Sequence, residues 1–342
     1  MRFDKKSLYK FNMPYALGRM RLNGEDCVVG ATEDEGPIII SRPPYAEAEI
    51  LVLGPGGCMS LVSHPEYPGE LYAIMGCFLG YKFFGGAVYR ITAEGGPAQA
   101  DKIVDLPFAH RMEIVERGRE RYLLLANLSA GKDNPADWSR PGTVYALPMT
   151  DPSSQTWDKL PVLEGIHKNH GFLKCDFQGR KTVLISGSQG LFSLDLAAPG
   201  WEFRPVLPYE VSEIAVLDLD GDGEQELVTI EPFHGPRLSV YKNSAAGWQR
   251  VWEAELNYGH CVLAEVFQGK PSILVSNRAG DKDLLLFQFD SPGVGGQFPE
   301  PRRIVVDSGV GAANMLLVKS DGREGIIATN QAQGEMVRYL VS

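Results

Sequence analysis

The sequence has little helical periodicity, no long apolar run and no basic cluster. Apolar residues at the i, i+3, i+4, i+7 spacing of an amphipathic helix do not recur over a helix length, which argues against an α-helical fold. No apolar stretch is long enough to span a membrane. The 342 residues include 33 Lys and Arg against 43 Asp and Glu, a net charge of −10. This balance argues against nucleic acid or an anionic membrane as a partner, because both require basic surfaces.

Paired cysteines and nucleophile motifs are also missing. The five cysteines are well separated along the chain and form no CxxC pair of the kind that binds metal. They fit buried thiols of a cytoplasmic protein, and the start of the chain has no apolar run of signal-peptide type. There is no G-x-S-x-G sequence and no glycine loop for phosphate, so neither a serine hydrolase nor a nucleotide-binding protein is indicated.

Short β-branched and aromatic runs between Gly, Pro and Asp turns fill the chain instead. They repeat at roughly 45–60 residues, the scale of a propeller blade. The clearest unit has strands at 260–266, 272–277, 283–289 and 302–307. The same template places innermost strands near Tyr15, Cys58, His110, His170, Glu213, His260 and Ala313.

These units predict an all-β fold, a single closed seven-bladed β-propeller of four-stranded blades over residues 1–342. The last unit supplies three strands, and Ser7–Met13 at the N-terminus can complete it. Such closure removes the exposed sheet edges that an open array would leave. Six blades and a pair of β-sandwiches are the alternatives, but a sandwich pair does not explain the position of the leftover strand.

The fifth unit has an acidic turn between its first two strands. It holds alternating carboxylates around Gly221 and Gly223, on Asp218, Asp220, Asp222 and Glu226. Hard oxygen ligands with glycines between them suit Ca²⁺, which here would be structural, and the alternative is a solvated acidic β-turn.

Histidines gather at one end of the predicted blades. We call this the top end, where the innermost strand begins and the second strand ends. His110, His170 and His260 each begin an innermost strand, and His234 lies in the second-to-third loop of the fifth blade. Imidazole nitrogen is a frequent ligand of divalent transition metals of the zinc, manganese, nickel or iron class, so these four residues predict a metal site in the central funnel. Hydrogen bonding of each histidine to the neighbouring blade's backbone is the other interpretation.

Other polar and aromatic residues fall at the same end. Glu231, three residues before His234, can ligate the metal or act as a base. The predicted catalytic residues are His110, Glu231, Arg278 and Lys282. A polar, ring-shaped ligand such as a sugar suits such a funnel. The predicted substrate-binding residues are Tyr81, Asn127, Trp138, Lys168, Tyr258, Asn277 and Asn330.

Two family resemblances sharpen these expectations. The acidic turn resembles the calcium-carrying hairpin of FG-GAP/VCBS repeats. The stretches IEPFHG at 230–235, YGHCVL at 258–263, SNRAGDKDLLLF at 276–287 and KNHGF at 168–172 together resemble propellers related to aldos-2-ulose dehydratase and similar sugar lyases. That resemblance implies a propeller that carries divalent metal and eliminates across a carbon–oxygen bond of a keto-sugar. It also implies that His170, His234, His260 and His110 are site residues.

The function expected from the sequence is therefore a metal-dependent carbon–oxygen lyase or dehydratase that acts by β-elimination on a keto-sugar or small glycoside. In this reaction Arg278 or Lys282 would offset developing negative charge. One alternative is a non-catalytic propeller that binds a glycan or a protein. Another is a sugar hydrolase or isomerase that uses the same metal.

Overall fold

The computed structural model describes residues 1–78, 85–149, 157–290 and 297–342. Within these ranges the chain forms seven four-stranded sheets. In six of them the strand order follows the chain from the innermost to the outermost strand, and the seventh takes its fourth strand from the N-terminus. The fold is all-β, a seven-bladed β-propeller, which confirms the prediction. Among the described residues, no helix has the length and the hydropathy that crossing a bilayer requires.

The described residues divide into two compact units. One comprises Gly171–Ala313 with Met1–Phe3 and Val341–Ser342, and the other comprises Asp4–His170 with Asn314–Leu340. The first contains three complete blades and the second contains four. The assignment of 1–342 to a single domain stays a prediction.

The four-blade unit begins with blades 1 to 3. Their strands are β2 (Pro14–Leu22), β3 (Glu25–Thr32), β4 (Ile38–Ser41), β5 (Glu49–Val52), β6 (Ser60–Ser63), β7 (Glu70–Met75), β8 (Ala87–Thr92), β9 (Gln99–Asp105), β10 (Ala109–Arg117), β11 (Glu120–Asn127), β12 (Gly142–Pro148) and β13 (Leu160–Ile166). Middle strands such as β3 and β11 are buried nearly throughout, whereas the outermost strand β9 is largely exposed. Buried middle strands explain why their sequences are apolar at successive residues rather than at every second one.

Blade 7 joins the two ends of the chain. Its strands are β26 (Ala312–Ser320), β27 (Arg323–Asn330), β28 (Glu335–Val341) and β1 (Phe3–Lys10), with a 3₁₀ turn, η1 (Gln331–Gln333), before β28. β1 pairs with β28 as the fourth strand. The predicted closing strand, Ser7–Met13, is placed too far along the chain. Met13 has φ 46°, so the backbone turns there towards β2.

Blades 4 to 6 form the three-blade unit. Their strands are β14 (Gly171–Phe177), β15 (Arg180–Gly187), β16 (Gly190–Asp195), β17 (Phe203–Leu207), β18 (Glu213–Leu217), β19 (Glu226–Glu231), β20 (Arg237–Ser244), β21 (Gly247–Glu255), β22 (Gly259–Phe267), β23 (Lys270–Asn277), β24 (Leu284–Gln288) and β25 (Arg302–Asp307). The innermost strands β14, β18 and β22 are consecutive neighbours. Apolar side chains fill the space between blades, for example Val228 and Ile230 of blade 5 against Ile273 and Val275 of blade 6. The starts of the three innermost strands are thereby held close together.

Candidate metal centre at the top ends of the blades

The same backbone turn leads into the innermost strand of several blades. Phe108, Lys168 and Tyr258, each two residues before a histidine, have φ values of 58°, 50° and 59°. This left-handed conformation is uncommon for residues other than glycine. Its repetition places His110, His170 and His260 at equivalent positions, as the sequence register predicts.

Three histidines converge at the top ends of blades 4, 5 and 6. His170 directly precedes β14, His260 is the second residue of β22, and His234 lies between β19 and β20. One ring nitrogen from each can be chosen so that all three lie within 4.8 Å of one another. His170 and His260 are each 1% exposed, and His234 is half-buried. Three nitrogen donors at this spacing can hold one metal ion after small side-chain adjustments.

Hydrogen bonds orient two of these rings. Nδ1 of His260 lies 2.9 Å from the carbonyl oxygen of Ala313. Because a carbonyl oxygen can only accept, His260 donates from Nδ1, and its Nε2 is the nitrogen with a lone pair for a metal. Nδ1 of His234 lies 2.8 Å from the hydroxyl oxygen of Tyr258. Outer partners of this kind fix the tautomer and the orientation of metal-binding histidines.

His234 is held from several sides. Its backbone has φ 47°, and its N–H donates to Oγ of Ser212 at 3.2 Å. The imidazole stacks on the ring of Phe233 with centroids 4.0 Å apart, and its centroid lies 4.9 Å from that of His260. A loop residue fixed in this way is suited to ligation, because little conformational freedom is lost on binding an ion.

His110, the fourth predicted ligand, is buried beside His170. Their ring centroids are 4.4 Å apart, and Nε2 of His110 lies 3.1 Å from the hydroxyl oxygen of Tyr15. His110 is not part of the three-histidine cluster, so its ligand role stays a prediction. Tyr15 was missed from sequence, although it starts the innermost strand of blade 1 and so occupies the position that histidine takes in blades 3, 4 and 6.

Glu231 is not part of the three-histidine cluster. Its carboxylate is 4% exposed and accepts hydrogen bonds from the hydroxyl groups of Thr229 at 2.5 Å and Tyr241 at 3.1 Å. Thr229 and Glu231 are two residues apart on β19, so their side chains point to the same face of the sheet. Glu231 also lines a cleft beside blade 5, and its role as a base or ligand stays a prediction.

The amides predicted to bind substrate hold the loops that follow the second strands. Asn127 donates to the carbonyl of Ser129 at 3.1 Å and accepts from the N–H of Thr143 at 2.7 Å. Asn277 accepts from the N–H of Asn257 at 2.9 Å, and Asn330 donates to the hydroxyl of Tyr339 at 2.7 Å. These bonds give all three a structural role at the top ends, while their contact with a ligand stays a prediction.

The remaining predicted site residues differ in exposure. Tyr258 contacts His234 directly and is 45% exposed, so its ring can meet a ligand. Lys168 and Arg278 are half-buried, and Lys282 is exposed. Trp138 carries the ammonium of Lys132 over its ring, 3.1 Å from the centroid. Tyr81 lies outside the described residues.

The acidic turn lies at the opposite end of blade 5. Carboxylate oxygens of Asp218, Asp220 and Asp222 lie within 4.8 Å of one another. Asp218 accepts from the N–H groups of Gly221 at 2.7 Å and Gly223 at 2.9 Å. Nζ of Lys242 is within ion-pair distance of Asp220, Asp222 and Glu226. The ammonium supplies a positive charge where Ca²⁺ would, so calcium binding stays a prediction that has Lys242 as a competitor.

Burial raises the pKa of Glu226 from its ordinary 4.5 to about 7, and the nearby Asp220 and Asp218 add to the shift, while the N–H of Leu219 and the ammonium of Lys242 oppose it. Glu226 is fully buried. The turn thus has a carboxyl that gains protons near neutral pH rather than four permanently charged ligands.

Comparison with solved structures shows the fold. The chain is similar to Sqt1 of Saccharomyces cerevisiae, with 11% identity, a TM-score of 0.56, and coverage of 100% of this chain and 98% of that one. It is also similar to the β-propeller domain of Cps50 (Swd1) of Myceliophteria thermophila, with 10% identity, a TM-score of 0.60, and coverage of 99% and 100%. No protein-family model matches the sequence, and no curated protein matches it. At these identities the similarity establishes a β-propeller along essentially the whole chain and carries no function with it.

Proposed function

We propose that this protein is a binding propeller whose functional centre is a divalent transition metal held by His170, His234 and His260, and that the ion anchors an oxygen-rich ligand. The observation that carries this proposal is the convergence of three imidazole nitrogens, from three consecutive blades, to within 4.8 Å. Three protein ligands leave at least one position open, as in metal sites that bind small molecules.

The donor set fits a borderline ion better than a hard one. Imidazole suits zinc, nickel and iron, whereas calcium and magnesium prefer carboxylate and carbonyl oxygen. His260 is already in the tautomer that a metal bound to its Nε2 requires, because its Nδ1 donates to Ala313. When bound, the ion would supply Lewis acidity at a carbonyl or hydroxyl oxygen of the ligand.

Side chains around the cluster favour a neutral, hydroxylated ligand. The phenol of Tyr258 is exposed beside His234, and Tyr15 and His110 form a hydrogen-bonded pair beside His170. These groups can donate or accept hydrogen bonds, and an aromatic face beside polar groups suits a sugar ring. A glycan or a small carbohydrate is therefore the ligand class we propose.

The second candidate is catalytic: a carbon–oxygen lyase or dehydratase that acts by β-elimination on a keto-sugar or small glycoside. It is supported by groups able to transfer protons beside the cluster, and by the resemblance to sugar lyases described above, whereas the resemblance to FG-GAP/VCBS blades favours the binding propeller. His110 can take a proton from carbon, and Tyr258 can return one to the departing oxygen. Arg278 and Lys282 stay the predicted source of positive charge. Hydrolysis or isomerisation would use the same groups.

Elemental analysis tests the proposal. The protein purified without chelators is expected to carry about one transition-metal ion per chain, and the His170→Ala/His260→Ala double variant is expected to carry none. Absence of metal from the wild type, under conditions where added zinc, nickel, iron and manganese also fail to bind, would rule out both candidates.

A second measurement separates binding from catalysis. The metal-loaded protein is incubated with keto-glycosides and with their reduced alcohols, and near-ultraviolet absorbance is followed for an enone product. An absorbance that rises with the keto-sugars and is lost in the double variant supports the lyase. Saturable binding of glycans with no enone supports the binding propeller.

A further inference from the structure

Blade 5 has one apolar face and one polar face, although both are buried. Val228, Ile230, Leu238 and Val240 fill the space towards blade 6. On the other face, Thr229 and Ser239 are fully buried and Glu231 nearly so. Buried polar side chains on a sheet face are costly unless they serve a network or a ligand.

This polar face borders a cleft of about 580 Å³, which we call the blade 5 cleft. The volume lies in the range of small-molecule sites. Its lining includes three aromatic side chains, two guanidinium groups and two carboxylates. These residues are Tyr209, Tyr241, Trp248, Arg237, Arg250, Glu210 and Glu231. No histidine is among its lining residues, so the cleft is distinct from the metal centre.

Hydrogen-bond acceptors in the cleft are already in use. The Glu231 carboxylate accepts from Thr229, Tyr241 and, at 3.4 Å, Ser239. Oε1 of Glu210 accepts from the N–H of Phe233 at 3.0 Å. A cationic ligand would have to compete with these donors for the same carboxylate oxygens.

One donor of the cleft, by contrast, has no acceptor in the part of the chain that the structure describes. Nε of Arg237 is buried and has no hydrogen-bond partner among the described residues; it lies 3.9 Å from Oε2 of Glu231. Arg237 and Arg250 both approach Oε2 of Glu253, at 4.0 Å and 3.2 Å. One carboxylate thus holds two guanidinium groups side by side. A buried donor without a partner indicates a missing acceptor.

We propose that the blade 5 cleft binds a small organic carboxylate carried on a flat ring. Guanidinium groups recognise carboxylates through paired N–H donors, and two such groups stand at the cleft. The ring would lie against Tyr209 and Trp248. Trp248 is held in place by stacking on Phe177, with centroids 5.7 Å apart and planes 14° apart. This site is independent of the proposed metal function.

Titration with three probes tests the ligand class, using ligand-observed NMR and calorimetry. Benzoate is expected to bind at least about tenfold more tightly than benzamide, which has the same ring without the charge. Tetramethylammonium is expected not to bind. Equal binding of benzoate and benzamide, absence of benzoate binding, or preferential binding of tetramethylammonium would each overturn the proposal.

Variants locate the binding. Arg237→Gln is expected to weaken benzoate binding about tenfold or more, and Arg250→Gln serves as a second variant if the first does not fold. Arg204→Gln is the control. It removes an exposed guanidinium that pairs with Glu202 and does not line the cleft, so it should leave binding unchanged. Glu231→Gln removes a negative charge that lines the cleft and should tighten benzoate binding. Weakening in Glu231→Gln, or no change in both arginine variants, would contradict the assignment.

Discussion

The two ends of blade 5 hold different candidate metal ligands: carboxylates at the bottom end, which is the end opposite the top end, and a histidine at the top end. At the bottom end, the acidic turn concentrates Asp218, Asp220 and Asp222 within a few residues, and each carboxylate has backbone N–H or ammonium partners. At the top end, His234 meets His170 and His260, which come from neighbouring blades. The carboxylates of the turn thus find hydrogen-bond and ion-pair partners within their own sheet, whereas the histidine cluster draws on three neighbouring blades.

This difference shows that the motif most visible in a sequence need not be the functional site. The acidic turn is a dense local motif that is visible in sequence. Lys242 and the turn's own backbone N–H groups nevertheless provide partners for its carboxylates without a metal ion. The three histidines lie far apart along the chain, between residues 170 and 260. The register of the innermost strands is what indicates that they share one end of the blades. We therefore place the functional centre at the top end and give the acidic turn a structural role.

The largest expected effect is on metal affinity at the top end. His260→Ala removes one of three nitrogen ligands and should weaken zinc binding about hundredfold or more, because the remaining pair cannot replace it. Calorimetric titration of metal-free protein with Zn²⁺ measures this change. Asp222→Ala is the matched control at the bottom end, and an equal loss of zinc affinity there would contradict the contrast between the two ends.

Removing the internal cation should destabilise the bottom end. Lys242→Met leaves Asp220, Asp222 and Glu226 without their ammonium partner, and we expect a loss of about 2 kcal/mol in the free energy of unfolding in chelator. Added Ca²⁺ should restore part of it. Urea unfolding measures both effects. Lys270→Met, which breaks an exposed pair with Asp290, should cost less than about 1 kcal/mol; equal costs would mean that the turn does not depend on Lys242.

The bottom end should also carry a pH signature through Glu226. Its pKa rises from 4.5 in the unfolded chain to about 7 in the fold. Between these values the folded state binds the proton more tightly, so the stability from this group is complete below pH 4.5 and is lost as the pH rises through 7.

Glu226→Gln mimics the protonated form and should gain stability relative to wild type, on the order of 2 kcal/mol, between pH 5 and pH 8 in chelator. The comparison with wild type cancels much of the titration of the surrounding Asp218, Asp220, Asp222 and Lys242. A stability difference that does not change with pH would show that Glu226 titrates normally.

The smallest expected effect concerns the orientation of the His234 ring, one of the three proposed metal ligands. Tyr258→Phe removes the hydroxyl that lies 2.8 Å from Nδ1 of His234 and should lower zinc affinity about tenfold. Fold stability should hardly change, because Tyr258 is exposed. Tyr209→Phe, which alters another exposed tyrosine in a loop that leads into an innermost strand, should leave zinc affinity unaltered, and an equal effect of the two substitutions would remove Tyr258 from the site.

Much of the fold could be predicted because each blade repeats one strand pattern. The strand expected at 302–307 has those bounds as β25, and the innermost strand expected at 260–266 is β22, one residue longer at each end. The closing strand was misplaced by several residues, since Ser7–Met13 alternates as plausibly as Phe3–Lys10 and no local signal fixes its partner. Pairing with β28 decides its position.

The candidate site could be predicted only for residues whose position in the repeated strand pattern fixes their place in the blade. His170 and His260 follow from the register of the innermost strands, and His234 follows from its loop. For Glu231 the sequence predicts a role near His234, and it could not show that hydroxyl groups of Thr229 and Tyr241 donate to the carboxylate. The blade 5 cleft could not be predicted, because Tyr209, Arg237 and Trp248 come from separate segments and no spacing links them.

A crystal of the metal-free protein soaked in zinc, with diffraction recorded at the zinc absorption edge, shows whether the three histidines bind the ion. We expect one anomalous peak bonded to ring nitrogens of His170, His234 and His260. A peak on Asp218, Asp220 and Asp222 instead, or none on the histidines at saturating zinc, would contradict it.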